Sequence, residues 1–201
     1  GWFDTGFSLT APATRNIPTS KAFASGNAKI EFLLLGESNY TGANPNHHIK
    51  IVYAGEVVNE TFTGYFAKRY FDTVSVSALG SFNTPFTFST VNDIGSAADN
   101  NTFSYISIAY PHLPDLDGAS SLILYVPDAG GQSKTYLNLS NFSVSAGDSV
   151  RFYDLINHRR IKVAKNGSNY QVLIPNSGSE KKCFITSDGQ IKNITRVDPV
   201  S

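Results

Sequence analysis

Apolar and polar residues alternate along most of this sequence, and a period of two is the pattern of β-strands that bury one face. Residues 103–110 place Ile106, Ile108 and Tyr110 on one face, and residues 74–78 alternate apolar residues with serine. The same alternation, enriched in Val, Ile, Phe, Tyr and Thr, marks further segments. It predicts strands at 29–35, 49–53, 86–90, 122–126, 136–139, 149–153, 160–163, 170–174 and 183–186.

Turn-forming residues separate these segments, as at 128–131, 146–148 and 165–168. No window shows a sustained period of 3.6 with capping residues, so we expect no long helix. The sequence therefore predicts an all-β fold, an antiparallel β-sandwich or jelly roll. We expect one elongated module over 1–201, or two abutting sandwich subdomains, 1–100 and 101–201, that meet at a polar break.

Charge and hydropathy exclude several classes of protein. Lys and Arg number 16 and Asp and Glu number 16, so the net charge is zero. A nucleic-acid binder depends on a basic surface, so we expect no nucleic-acid partner. No apolar run approaches the roughly 18 residues that cross a bilayer, so we expect no transmembrane segment. The sequence begins with Gly1 rather than methionine, and we expect a piece of a longer exported protein.

No catalytic constellation is predicted for this chain. The single cysteine, Cys183, lies inside a strand pattern, so we interpret it as a buried structural residue rather than a nucleophile. His47 and His48 stand in a predicted loop just before a strand, and we expect surface or edge histidines. Since adjacent side chains on a strand point to opposite faces, two neighbouring histidines would chelate poorly. Asp115 and Asp117 resemble the start of a calcium loop whose other ligands are absent. We therefore expect no cofactor and only a weak calcium possibility at those two carboxylates.

Two groups of aromatic residues offer an alternative function. Trp2 lies at the start of the chain, and Tyr65, Tyr70 and Phe71 surround a basic pair. Exposed and coplanar, these rings would stack on sugars, which would make the chain a carbohydrate-binding module of a cell-surface enzyme. Core packing is the other interpretation, since aromatic residues dominate the interiors of β domains.

Several segments together resemble a known protein region. Residues 103–112 resemble a strand that ends in a Tyr-Pro pair, and residues 134–142 resemble the segment that follows it. Residues 150–157 contain a Tyr-Asp-Leu-x-Asn pattern, and an Arg-Ile pair follows at 160–161. This order is similar to the region upstream of the caspase-like domain in gingipain-like cysteine peptidases of Bacteroidetes, which are tied to type IX secretion.

Two further segments carry the same resemblance. Residues 1–4 are similar to the aromatic entry of that region, and residues 47–55 to its hairpin, although Ala54 stands where asparagine is common. The resemblance implies an exported β-sandwich that precedes a cysteine peptidase domain, at the cell surface of a Gram-negative bacterium or beyond it. Because that domain would begin after residue 201, no catalytic residue carries over.

The resemblance implies partners as well as a fold. The expected function is that of a non-catalytic accessory domain that packs against or positions the downstream peptidase domain of the same polypeptide. The type IX secretion machinery is the second expected partner. The residues that carry the resemblance are the predicted interdomain contacts: Tyr110, Pro111, His112, Tyr153, Asp154 and Arg160.

Overall fold

The chain is described by a computed structural model that covers Asp4 and residues 6–192. Within this part, every regular element is a β-strand except two short 3-10 turns, Val76–Ala78 and Asp188–Gln190. All strand pairs are antiparallel, and they form four sheets. The predicted all-β sandwich class is therefore confirmed. The chain divides into two compact units, Gly1–His112 and Leu113–Ser201.

The first unit contains seven strands in two sheets. They are β1 (Ala13–Pro18), β2 (Asn27–Gly36), β3 (His47–Tyr53), β4 (Glu56–Phe62), β5 (Phe66–Ser75), β6 (Asn83–Thr90) and β7 (Asn101–Ala109). One sheet has the order β1-β6-β3-β4 and the other β5-β2-β7. Strand β2 alternates buried and less buried residues along its whole length, as a strand with one face in a core must.

Aromatic rings fill the space between the two sheets of the first unit. The Phe32 ring, from the three-stranded sheet, stacks on Tyr70 with centroids 4.8 Å apart and meets Phe86 of the facing sheet edge-on at 6.1 Å. Phe88 stacks on Phe103 at 4.4 Å. Because Phe32, Phe86 and Phe88 have no solvent exposure, these contacts define the core.

The second unit also contains seven strands. They are β8 (Ser121–Val126), β9 (Lys134–Leu139), β10 (Val150–Asp154), β11 (Arg159–Ile161), β12 (Val163–Asn166), β13 (Asn169–Pro175) and β14 (Lys181–Ser187). One sheet has the order β11-β10-β14-β8 and the other β12-β13-β9. The last strand pairs between the first and third strands of the unit, as in a jelly roll. Phe152, Val172, Ile174, Cys183 and Ile185 form its core.

Two strand predictions are partly wrong. The segment predicted at 160–163 is divided at Lys162 between β11 and β12, which belong to different sheets. The valine–serine alternation at 74–78 does not continue as a strand, because β5 ends at Ser75 and Val76 opens a 3-10 turn. The Ser75 hydroxyl accepts a hydrogen bond from the amide of Ser77 and caps that turn. The alternation persists because Val74 and Val76 both reach the core while the serines face solvent.

Candidate interaction surface

The first predicted contact segment is anchored within its own unit. The Tyr110 hydroxyl donates a hydrogen bond to the carbonyl of Ser20 (3.1 Å), and the Phe23 amide donates to the carbonyl of Pro111 (2.8 Å). His112 forms an isolated β-bridge with Ala22. Tyr110 packs against the core while Pro111 remains exposed. Through these contacts, residues 110–112, which follow β7, lie along the segment that joins β1 and β2.

The second predicted segment forms the β10–β11 hairpin. Asp154 is 1% exposed, and its two carboxylate oxygens accept hydrogen bonds from the backbone amide (3.0 Å) and the side-chain amide (2.8 Å) of Asn157. His158 completes the turn with a φ of 51°. The Asp-x-x-Asn spacing therefore closes this hairpin, because a carboxylate can accept from a backbone amide a few residues further on.

The pairing register brings four outward side chains into one row. Tyr153 lies opposite Arg160 of β11 on one side and Phe184 of β14 on the other, and Phe184 lies opposite Ile123 of β8. Since paired residues share a face, this row crosses all four strands on the side away from the core. We name this surface, with Tyr125 next to Ile123 on β8, the outer row.

The outer row is apolar in its middle and basic at its margins. Ile123 is 48% exposed and Tyr125 is 58% exposed, while Tyr153 and Phe184 are half-buried. The exposed Arg160 ends the row, and the ammonium of Lys182 lies 6.0 Å from the centre of the Tyr125 ring. Contiguous exposed apolar side chains rimmed by polar groups are typical of protein contact sites. Phe184, Ile123 and Tyr125 are not evident from sequence reasoning, although the alternation within β8 marks which of its residues share a face.

The predicted sugar-stacking residues do not share one face. Tyr65 and Phe71 are 77% and 70% exposed. Tyr70 instead faces inward, where it stacks on Phe32 and donates from its hydroxyl to Glu60 (2.7 Å). Neighbouring residues on β5 point to opposite sides, so Tyr70 and Phe71 are separated by the strand itself. Trp2 lies outside the described residues.

Phe71 has polar neighbours on the outer side of the three-stranded sheet. It lies opposite Glu31 in the register of β5 and β2. The Glu31 carboxylate accepts a hydrogen bond from the Tyr105 hydroxyl, and its Oε1 lies 3.4 Å from Nε of Arg69. An exposed ring beside an oriented carboxylate is therefore present, although it involves one aromatic residue rather than four.

Cys183, His47 and His48 each have their own local partners in the structure. Cys183 is fully buried, as predicted, and this burial raises the pKa of its thiol to about 11. The expectation of surface or edge histidines is wrong for His47, which has no solvent exposure because Asp99 and the carbonyl of Ser38 satisfy both ring nitrogens. His48 faces the opposite side, as predicted, and its Nδ1 lies 2.6 Å from Asp93.

Asp115 and Asp117, the two residues considered above as calcium ligands, lie in a turn. The Asp117 amide donates to Oδ1 of Asp115 (3.0 Å), and Asp117 has a φ of 53°. Among Asp4 and residues 6–192, no group of three or more His, Cys, Asp or Glu side chains is placed to hold a metal ion. Within the same described part, no helix is long and apolar enough to cross a membrane.

Over the residues that the structure describes, fold and register together define an antiparallel β-sandwich with an apolar outer row on its second unit. No family model matches the sequence, and no curated protein matches it. Its fold is similar to that of dimeric latent PorU from Porphyromonas gingivalis, whose crystal structure matches 94% of this chain with a TM-score of 0.63 and 12% sequence identity. The chain spans 18% of the PorU chain. At this identity the similarity establishes a shared fold.

Proposed function

We propose that this chain is a non-catalytic accessory region of a larger exported gingipain-like peptidase or type IX secretion protein. In this role it packs against the peptidase domain that follows it in the same polypeptide and holds that domain in position. The protein would act at the outer-membrane surface of a Gram-negative bacterium or outside the cell, with the type IX secretion machinery as a second partner.

The fold similarity to PorU is the observation that carries this proposal. It extends over 94% of this chain but only 18% of the PorU chain, which is the relation expected of one region within a larger protein. The short motifs at 103–112 and 150–157, which resemble the region upstream of a peptidase domain, support the same conclusion. The buried Cys183 supports a non-catalytic role, because a thiol with a raised pKa is a poor nucleophile near neutral pH.

The outer row supplies a surface for such packing. Tyr153 and Phe184 give it an apolar centre, and Arg160 gives it a cationic end. We infer that the downstream domain covers this row with an apolar patch that carries a carboxylate opposite Arg160. A bidentate guanidinium–carboxylate pair would fix the orientation of the two domains more strictly than apolar contact alone.

Hydrogen exchange on the chain with and without its native C-terminal continuation tests this proposal. We expect added protection at the turn residues 155–158 and at residues 110–117, because amides outside the strands report a new contact most clearly. Phe184→Asp should remove the protection at residues 155–158 by placing a charge in the apolar centre of the outer row. Leu173→Asp is the matched control, since Leu173 is 55% exposed on the outer side of the other sheet. Equal exchange with and without the continuation would contradict the proposal.

Carbohydrate binding is the second candidate, and the 70% exposure of Phe71 beside Glu31 favours it. Sugar rings stack on exposed aromatic faces while carboxylates accept bonds from their hydroxyls. A glycan array screened with the wild-type chain, Phe71→Ala and Phe82→Ala separates the cases, because Phe82 is equally exposed at 74% but lies in the loop before β6. Binding that Phe71→Ala abolishes and Phe82→Ala preserves would establish this function. If the wild-type chain binds no glycan on the array, carbohydrate binding is excluded as its function.

A further inference from the structure

A cavity of about 360 Å³ lies in the second unit, between the segment that leads into β10 and the hairpin of β12 and β13. Residues 144–150 form one wall, and Val163, Lys165 and Tyr170 form the other. Pockets that hold small ligands have volumes of roughly 300 to 1,000 Å³, so this cavity suits a compact molecule. None of its lining residues belongs to the outer row.

Part of the cavity surface is apolar and held in place by the core. Val144, Val150 and Val163 pack against the core of the second unit. Tyr170 is 8% exposed, and its ring meets Phe142 edge-on with centroids 5.9 Å apart. No described residue forms a hydrogen bond with the Tyr170 hydroxyl, whereas buried tyrosines usually have such a partner. A ligand in the cavity would supply this partner.

One cation lines the cavity beside this tyrosine. Lys165 lies directly opposite Tyr170 in the register of β12 and β13, so the two side chains share the inner side of that sheet. The ammonium of Lys165 lies 5.9 Å from the centre of the Tyr170 ring. A charged group on the core side of a strand requires water or an anion beside it, and the cavity has room for either.

The opposite wall is shaped by hydrogen bonds within the chain. The amide of Asp148 donates to the carbonyl of Ser145 (3.1 Å), in a turn where Gly147 has a φ of 90°. Oδ2 of Asp148 accepts a hydrogen bond from the amide of Gly189 (2.9 Å), which ties this wall to the turn after β14. The wall is therefore formed without a ligand, and the one acidic residue of the described lining already has a partner.

We propose that this cavity binds a small monocarboxylate that carries a compact apolar group. The carboxylate accepts a charge-assisted hydrogen bond from the ammonium of Lys165 and a second hydrogen bond from the hydroxyl of Tyr170. The apolar group lies against the three valines, where it displaces water from apolar surface.

The charges and the surface of the cavity select this class of ligand. The one ammonium of Lys165 balances one negative charge, and the carboxylate of Asp148 in the same lining would repel a dianion such as phosphate. An inorganic anion would also leave the valine surface uncovered. A free organic acid and the C-terminal residue of a peptide both present a carboxylate beside an apolar group, and they share the chemistry proposed here.

NMR titration of the ¹⁵N-labelled chain of residues 1–201 tests the proposal. The probes are N-acetylleucine and its uncharged counterpart N-acetylleucinamide, each added to about 50 mM, which covers the millimolar affinities of weak small-ligand complexes. We expect N-acetylleucine to shift the amide signals of residues 144–150 saturably, and N-acetylleucinamide to bind at least about tenfold more weakly because it lacks the charge. An absence of shifts, or equal binding of the two probes, would overturn the proposal.

Three variants assign the binding to the cavity. Lys165→Gln should weaken the binding of N-acetylleucine at least about tenfold, and Tyr170→Phe, which removes only the hydroxyl, should weaken it by about threefold or more. Lys162→Gln is the matched control, because Lys162 is an exposed lysine just before β12 that does not line the cavity. The same spectra show that each variant is folded. Unchanged affinity in Lys165→Gln would overturn the proposal.

Hexanoate distinguishes the two sources of the carboxylate. Affinity equal to that of N-acetylleucine would support a free acid as the ligand, and affinity at least about tenfold weaker would support the C-terminal residue of a peptide. The proposal does not depend on the proposed accessory function. Phe184→Asp should disturb domain packing and leave the binding of N-acetylleucine intact, because Phe184 does not line the cavity.

Discussion

Oδ1 of Asp99 lies 2.7 Å from Nδ1 of His47 in the first unit, and neither side chain has any solvent exposure. The other ring nitrogen, Nε2, lies 2.8 Å from the carbonyl oxygen of Ser38. Because both neighbours are acceptors, the geometry favours a ring that donates from both nitrogens, which is the imidazolium form. Asp99 also accepts from the amide of His48 (2.9 Å) and from Asn101 (2.6 Å). A buried ion pair therefore joins β3 to the segment that leads into β7.

Asp99→Asn is expected to destabilise the first unit by about 3 to 5 kcal/mol, because it leaves a buried imidazolium without its counter-ion. Urea denaturation followed by circular dichroism measures this loss. Asp93→Asn is the control, since Asp93 pairs with His48 at the surface and is 53% exposed. That change should cost less than about 1 kcal/mol. Equal effects of the two substitutions would contradict the buried ion pair.

The stability of the first unit should fall as the pH rises above about 6.5, the ordinary pKa of histidine. Burial lowers the pKa of His47, but the hydrogen bonds to Asp99 and Ser38 and the charge of Asp99 outweigh it, so the pKa lies above its ordinary value. A raised pKa stabilises the fold fully below the unfolded value of about 6.5, and this stabilisation disappears as the pH rises through the folded value.

Two variants distinguish the contribution of His47 to this pH dependence of stability from that of His48. The pKa of His48 is also raised, chiefly by its hydrogen bond to Asp93. Unfolding free energies measured from about pH 5 to about pH 9 should lose more of their pH dependence in His47→Gln than in His48→Gln, because His47 is the buried group. An unchanged profile in His47→Gln would exclude the buried imidazolium.

Cys183 should be unreactive toward thiol reagents in the folded chain. Its burial raises its pKa to about 11, so almost no thiolate exists at neutral pH. We expect labelling by 5,5′-dithiobis(2-nitrobenzoate) to follow unfolding of the second unit, with full reactivity only in denaturant. Ser179→Cys supplies a control thiol at an exposed position. Prompt labelling of Cys183 in buffer would show that β14 opens locally.

Asp154→Ala should destabilise the second unit by about 1 to 3 kcal/mol, because it leaves both amide groups of Asn157 without their acceptor. Thermal unfolding measures the effect. Leu155→Ala is the control: Leu155 is 41% exposed in the same turn, and its truncation should change stability by less than about 0.5 kcal/mol. A neutral Asp154→Ala would mean that the Tyr-Asp-Leu-x-Asn pattern has a role other than closing the hairpin.

Much of the strand content follows from local pattern alone. The predicted strand at 29–35 corresponds to β2 (Asn27–Gly36), and that at 170–174 to β13 (Asn169–Pro175). Alternation identifies these strands because each buries one face in a core. Every second residue must then be apolar, and this can be read directly from the sequence. It does not identify β5 (Phe66–Ser75), where charged residues on both sides of an edge strand obscure the period.

The sequence by itself determined the all-β class, the opposite orientations of His47 and His48, and the burial of Cys183. Each of these depends on the pleat, which is a local property of an extended backbone. Only the tertiary structure decided that His47 meets Asp99, 52 residues away in the chain, and that Arg160, Tyr153, Phe184 and Ile123 form one row. The reason is physical: strand order and register are set by packing and pairing over the whole unit, and no local pattern specifies which strand becomes whose neighbour.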